Sequence, residues 1–523
     1  MAKCIRYSLA VLGVGFFLIG RLEELFHLAF WGVFLLMCSN LIFGFEKLKS
    51  RIFFLFFHLT IFLFLMGRPL VLMLRGEEWV RFSEEATWFA ITALLATLLS
   101  LLAGALWAER RMKKREKREV APYYLRESES ERTFLKNMQN IALLLCLTAI
   151  GCSLLVGADM LLYMRGRSYL EYYTTYSPRV PYVIQAVANM DVYCLAFFLA
   201  AMPPKRKAFV PLGLYLLSAV PSLLIGQRNP VVLNGIFLFL YYYIRDVLKP
   251  VDGPVPPKKK SQVQKSLVQK SLVQRLERLH LPRWLGRLER GALAVMIPVV
   301  VLFLSAFNYL RMGDQLENSS VAGLMGDFLY QQGVSFDVLC IGYESTPLLP
   351  SGFHNYTFGS FIDYFTHGAP ARLLFGARAL ESGNTVDMAL NSNSYTHAMS
   401  YVSRGQEYLD GHGWGSSYLL ETYTDYGWIG IVLFSLAIGF VLVYAFVWLS
   451  QNWLGASMVL ASLTSIFFIP RAAAMEWLSF VLTAQFLLPL AFCWFAAKLT
   501  VKRTRLPRLF SSGRCTAGEK LLP

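Results

Sequence analysis

The sequence predicts an all-α polytopic membrane protein, with about 12 transmembrane helices and a large helical extracytoplasmic loop. Three observations carry that prediction. The 523 residues are 55% hydrophobic and only 16% charged, with a mean hydropathy of +0.45, far from the composition of a water-soluble domain. Apolar runs long enough to cross a bilayer recur along the chain. The period-two alternation of strands is weak throughout, so helices are the expected element.

Residues 1–108 supply the first four spans, read at 7–20, 25–44, 52–74 and 86–108. The first run follows Lys3 and Arg6 as a secretory signal would, but no small-residue cleavage site separates it from the second, so it is expected to remain as a span. Cys4 precedes that run and does not suit a lipoprotein anchor. A basic loop at 109–137 leads to spans five to eight within 138–248, read at 138–163, 183–203, 208–225 and 229–247. Residues 249–290 open with "VDGPVPPKKK" and continue as "VQKSLVQKSLVQRLE". Leu272, Leu276, Leu279 and Leu285 then recur among Arg275, Arg278 and Arg287, which suits either an amphipathic helix on an anionic leaflet or a plain basic linker. A ninth span is expected at 291–310. The loop at 311–425 is far longer than an ordinary connection and too rich in Tyr, Phe and Leu for a solvated tail. Within it, "SVAGLMGDFLYQQGVSFDVLCIGY" has helical spacing, and "FGSFIDYFTHGAPARLLFGARALE" reads as a helix pair near the membrane surface. Spans at 426–449, 453–470 and 477–498 complete the region 426–498, and 499–523 is a basic tail.

Most of the 50 Lys and Arg residues fall on one side of this arrangement, whereas most of the 34 acids fall on the other. Because basic loops resist translocation, both termini are expected in the cytoplasm and the long loop outside. The positive charge then faces an inner leaflet, and no nucleic-acid partner is expected. The eight cysteines form no disulfide framework, since only Cys340 falls in the outer loop. No metal-type cysteine spacing, HExxH, Walker sequence, GxSxG or Asp-x-Asp pair is present, so neither a cofactor nor a metal is expected. Sequons at Asn318 and Asn355 lie in the outer loop.

An ionisable side chain within a span is costly and invites an explanation. Asp191, with Gln185 and Asn189 on the preceding turns, is the deepest acid, and Arg68 is the deepest base. Each reads equally as a partner for a neighbouring helix or as a site group. Arg228, in "GQRNP", lies between two spans with almost no loop, where a guanidinium can take a phosphate bidentately or merely snorkel. Arg404, His397 and His412 are its expected company in the long loop. In "GHGWGSSYLLETYTDYGWIG", Glu421 and Asp425 are four residues apart and share a helix face that Tyr418 extends, and that face is expected to look into a cavity.

The many spans, the very long loop, the "GQRNP" turn and the "GWGSSYLLETYTDYGWIG" segment together resemble the bacterial O-antigen and exopolysaccharide polymerases of the Wzy type, the oligosaccharide repeat unit polymerases. The resemblance implies a multi-pass protein of the bacterial cytoplasmic membrane, a metal-independent glycosyltransferase that extends a capsular, exopolysaccharide or O-antigen chain. Its substrates would be oligosaccharides linked through diphosphate to a polyprenol such as undecaprenol, and a chain-length regulator and a flippase its partners. It would assign the diphosphate to Arg228, Arg404 and Arg471, and the role of base to Glu421, then His412, then His397. Asp425, Trp414 and Tyr418 would meet sugar. Tyr423 and Trp428 fit sugar stacking or an interfacial belt. A lipid-linked oligosaccharide flippase or transporter, and an O-antigen ligase, are the alternative readings.

Overall fold

The computed structural model describes residues 2–116, 122–125, 128–167, 172, 175–227, 229–248, 321–352 and 354–510. Arg228, the sequon at Asn318, the linker at 249–290, the ninth span and the end of the tail lie outside these residues.

Hydrocarbon offers no partner to a backbone N–H, so a segment that crosses it must satisfy its own polar groups, and an α-helix does so residue by residue. Among the described residues 11 helices are long and apolar enough to cross: Lys3–Leu22, Phe26–Glu46, Leu48–Arg75, Glu84–Arg115, Glu129–Tyr163, Tyr182–Ala200, Lys205–Leu224, Asn229–Leu248, Tyr418–Gln451, Trp453–Arg471 and Ala484–Val501. Each falls on one of the runs expected from hydropathy, although the last begins at Ala484 rather than at 477, and no strand occurs among the described residues. The protein is an all-α polytopic membrane protein. Followed in order, the spans place residues 75–84 and 471–484 at the face that carries the long loop, and residues 46–48 and 451–453 at the opposite face.

Two spans form the axis of the bundle. The helix Tyr418–Gln451 runs along Glu84–Glu116, and the two backbones touch at paired glycines. A Cβ at Gly104 would stand 2.0 Å from the Leu436 carbonyl oxygen, and one at Gly439 would stand 2.1 Å from that of Leu101. Small residues permit this approach where packing, rather than water exclusion, must hold helices together. Phe446 of the long helix stacks on Phe53, with ring centroids 4.9 Å apart. At the opposite face Arg51 binds Glu109 at 2.6 Å and Glu46 at 3.4 Å, and Arg6 joins Glu46 at 3.5 Å, so the first four spans share one ionic cluster.

Several of the described spans are interrupted, and three of the breaks bear on ionisable residues. Leu48–Ile61 passes into a π-helical turn at Phe62–Met66 before Gly67–Arg75 resumes, which re-aims Arg68. The sixth span breaks between Tyr182–Ala188 and Asp191–Ala200, where Asp191 accepts a 2.7 Å bond from the Ser153 hydroxyl, so this deepest acid has a structural partner. The helix Tyr418–Gln451 bends at Gly427 (φ 60°, ψ −151°), separating a short first segment from the membrane-crossing remainder. Both loop stretches with helical spacing are helical: Val321–Gln332 with Ser335–Ser345, and Gly359–Thr366 with Ala369–Phe375. Tyr395–Arg404 and Gln406–Leu409 follow. The cysteines of the described residues, Cys340 included, are free thiols.

Candidate functional site

The loop is fastened to the membrane spans by an antiparallel pair of ion bridges. Arg68 binds Asp337 at 2.5 Å, and Arg75 binds Asp327 at 2.5 Å, so numbering rises on one partner as it falls on the other. Arg68 also donates through Nε to the Tyr330 carbonyl at 3.0 Å, and its guanidinium lies 4.4 Å from the Tyr330 ring centroid. Arg81 reaches the Tyr330 hydroxyl at 3.3 Å. The turn between the two loop helices must be glycine, because a Cβ at Gly333 would stand 2.1 Å from the Arg68 backbone nitrogen. Burial raises the Asp337 carboxyl above the ordinary carboxylate range and outweighs the pull of Arg68 and Arg81.

Arg471 completes this group from the far end of the chain. It closes the 3₁₀ turn Ile466–Arg471, at the loop-bearing end of its span. Its Nη1 donates to Gln332 Oε1 at 3.3 Å, and its guanidinium lies 5.7 Å from the Phe64 ring centroid. Arg68 is near enough to act on it as a like charge. Among the described residues no ion pair joins Arg471 to a carboxylate, and Asp337 is already matched by Arg68, so the place is left net positive. An apolar cavity of about 380 Å³ is lined by Phe53, Leu442, Trp448, Met458, Ile466 and Trp477. Ile466 belongs to the same 3₁₀ turn that ends at Arg471.

Glu421 holds the neighbouring backbone. Its side chain is buried at 1% exposure, and both oxygens are occupied: Ser416 Oγ donates to Oε1 at 2.7 Å, and the Ala474 amide donates to Oε2 at 2.7 Å. The carboxylate thus ties the "GWGSS" stretch to the segment just after Arg471, and a Cβ added at Gly415 would stand 3.6 Å from the Arg471 carbonyl oxygen. Asp425 accepts the backbone amides of Tyr356 at 3.2 Å and Thr357 at 2.6 Å. The face shared by Glu421 and Asp425 was expected to look into a cavity; protein fills it instead, since each carboxylate organises loop backbone.

The remaining candidates are spread along the loop. Arg404 binds Glu407 at 2.6 Å and stacks 3.9 Å from the Trp414 ring centroid. Trp414 is tied back to the helix Tyr395–Arg404, its backbone N–H donating to Ser400 Oγ at 2.8 Å. His397 Nδ1 lies 2.9 Å from the Tyr408 hydroxyl, which donates in turn to the Thr385 carbonyl at 3.2 Å. A carbonyl only accepts, so the tyrosine proton is spent there. Nδ1 then carries the imidazole hydrogen, and Nε2 keeps its lone pair. Burial holds this imidazole below its usual range. His412 is exposed at the loop surface. Tyr418 is fully buried, with its hydroxyl 3.2 Å from Ser435 Oγ, which corrects its expected place against a sugar: it is a core residue. Tyr423 packs on Phe89 with centroids 4.5 Å apart and on Trp428 at 5.3 Å.

Reading the spans singled out Arg68 and the resemblance named Arg471, but neither pointed to Gln332 or Asp337. The available signal was a pair of acids, Asp327 and Asp337, in an otherwise apolar stretch, matched by Arg68 and Arg75 at the end of a span. Among the described residues no three His, Cys, Asp or Glu side chains gather as metal ligands would. No protein of curated function and no solved structure matches the chain. A bundle of membrane helices, a long loop clamped to it and an excess of guanidinium charge at the junction agree with a relationship that the sequence shows. The family model of the O-antigen polysaccharide polymerase Wzy matches residues 5–260 and 276–504, nearly the whole chain, and the protein belongs to that family.

Proposed function

We propose that the protein joins polyprenyl-diphosphate-linked oligosaccharide repeat units into a longer polysaccharide, by glycosyl transfer at the outer face of the cytoplasmic membrane. The observation that carries this reading is the pair formed by Arg471 and Arg68, which holds more positive charge than its one acid neutralises, at the end of a membrane span. A diphosphate at the polar boundary of the bilayer is the complementary ligand, and guanidiniums hold it bidentately. The loop-bearing face is taken as the outer one, because basic residues crowd the other.

In this reading the acceptor hydroxyl oxygen bonds to the anomeric carbon of the growing chain as the bond from that carbon to the diphosphate oxygen breaks. The electron pair leaves with the polyprenyl diphosphate, whose growing charge Arg471 and Arg68 stabilise in a desolvated setting. The apolar cavity beside Ile466 suits the first isoprene units of the tail. The hydroxyl proton passes to a base, a role for which His397 Nε2 has a free lone pair. Glu421 acts as a positioning residue that fixes the Arg471 segment. Trp414, with Arg404 over one ring face, offers the other to sugar.

The test is surface glycan on a gel from a strain lacking the protein, complemented with the wild type, Arg471→Ala or Arg471→Lys. A polymerase predicts a single repeat unit in the empty strain and with Arg471→Ala, and a partial ladder with Arg471→Lys, which keeps the charge without the fork. Full-length polymer left on the lipid carrier would make the protein a ligase. Absence of any surface unit would make it a flippase. A normal ladder with Arg471→Ala would remove the diphosphate assignment.

A further inference from the structure

The helix Ala369–Phe375 ends in three consecutive large apolar residues that stand almost free: Leu373 is 85% exposed, Leu374 74% and Phe375 82%. Arg372 is exposed as well, and the first of the turn to be buried is Ala371, at 3%. Successive helical residues are rotated by about 100°. Residues 372–375 therefore cover the whole circumference, and no side of this turn faces the protein. Such a tip in water would be unfavourable on every side.

We propose that the Leu373–Phe375 tip is a monotopic anchor that inserts into the leaflet beneath the long loop, with the lipid bilayer as its partner. The helix Gly359–Thr366, which packs against the tip helix, also touches Glu476–Ser479, the turn that joins the last two membrane spans. The tip is thereby tethered close to the boundary of the hydrocarbon. Arg372 and Arg378 flank the apolar residues and both are exposed; the Arg372 guanidinium suits a lipid phosphate, and Arg378, 71% exposed, also pairs with Asp387 at 3.0 Å. A second protein chain is disfavoured by size, since three side chains fall far short of the ~800 Å² per partner that a stable interface buries. Inserted, the tip gives the middle of the loop a membrane attachment of its own, separate from the ion bridges at Arg68 and Arg75.

The test replaces Phe375 with the photo-crosslinker p-benzoylphenylalanine in the full-length protein in native bacterial membranes, followed by mass spectrometry of the irradiated peptide. The same probe at Leu433, 60% exposed on a membrane span, is the lipid-facing control, and Ser382, exposed in the same loop, is the aqueous one. Insertion predicts phospholipid adducts at Phe375 in yield comparable to Leu433 and absent at Ser382. Adducts to a second copy or to another protein would overturn the proposal. So would a Phe375 peptide free of lipid while the Leu433 peptide carries it.

Discussion

Replacing Glu421 by Gln keeps its shape and removes its charge, whereas Ala removes both acceptor oxygens. The side chain is 1% exposed and accepts two bonds of 2.7 Å, from Ser416 Oγ and from the Ala474 amide. In Glu421→Gln the amide oxygen still accepts from Ala474, and the amide nitrogen donates to Ser416 once that hydroxyl turns its own hydrogen away. The net change is within about 1 kcal/mol, and removal of a desolvated charge works in its favour. Glu421→Ala orphans two buried donors at about 1–3 kcal/mol each, and leaves a void besides. Together that is roughly 3–6 kcal/mol, a large share of the stability of any domain. The assay pairs the melting temperature of the detergent-purified protein with the length of surface glycan in complemented cells. A holding role predicts that Glu421→Gln melts near the wild type and still makes long chains, while Glu421→Ala melts several degrees lower and makes none. If Glu421→Gln folded normally yet left only single repeat units, Glu421 would be the proton acceptor and its assignment to positioning would be refuted.

Arg68→Ala leaves Asp337 part-buried without its partner and should cost about 3–5 kcal/mol, part of which returns in the Arg68→Ala, Asp337→Ala double variant; melting curves of the three proteins check this. Gly439→Ala places a methyl 2.1 Å from the Leu101 carbonyl oxygen and should lower the amount of protein in the membrane several-fold, whereas Gly151→Ala, with nothing within 4 Å, should leave it unchanged; quantitative immunoblots decide. The buried His397 imidazole has its pKa held below the usual 6.5, so as acidity rises the unfolded chain takes the proton first. The stability that His397 contributes is therefore whole above pH 6.5 and drains as the pH falls toward the depressed value. Limited proteolysis of the loop should quicken between pH 7 and 5 in the wild type and respond less in His397→Gln.

Hydropathy alone located all 11 described spans, because lipid imposes one rule on every segment that crosses it: the backbone must be satisfied locally, and apolar side chains must face outward. Helical spacing likewise showed two helical stretches of the loop, but not Val386–Asn391 or Tyr395–Arg404. What spacing could not supply was partnership. It placed Glu421 and Asp425 on one helix face, four residues apart, but not the Ala474 amide or the Tyr356 and Thr357 amides that occupy them. The cost of an ion within a span marked Arg68 and the family resemblance named Arg471, hundreds of positions apart, but neither could bring them to the same stretch of the loop around Gln332. Local sequence fixes which groups are costly to bury, since that depends on each residue and its immediate neighbours. Which charges finally meet depends on helix packing, where contacts such as Gly104 against Leu436 and Gly333 against Arg68 set the relative height and rotation of whole spans.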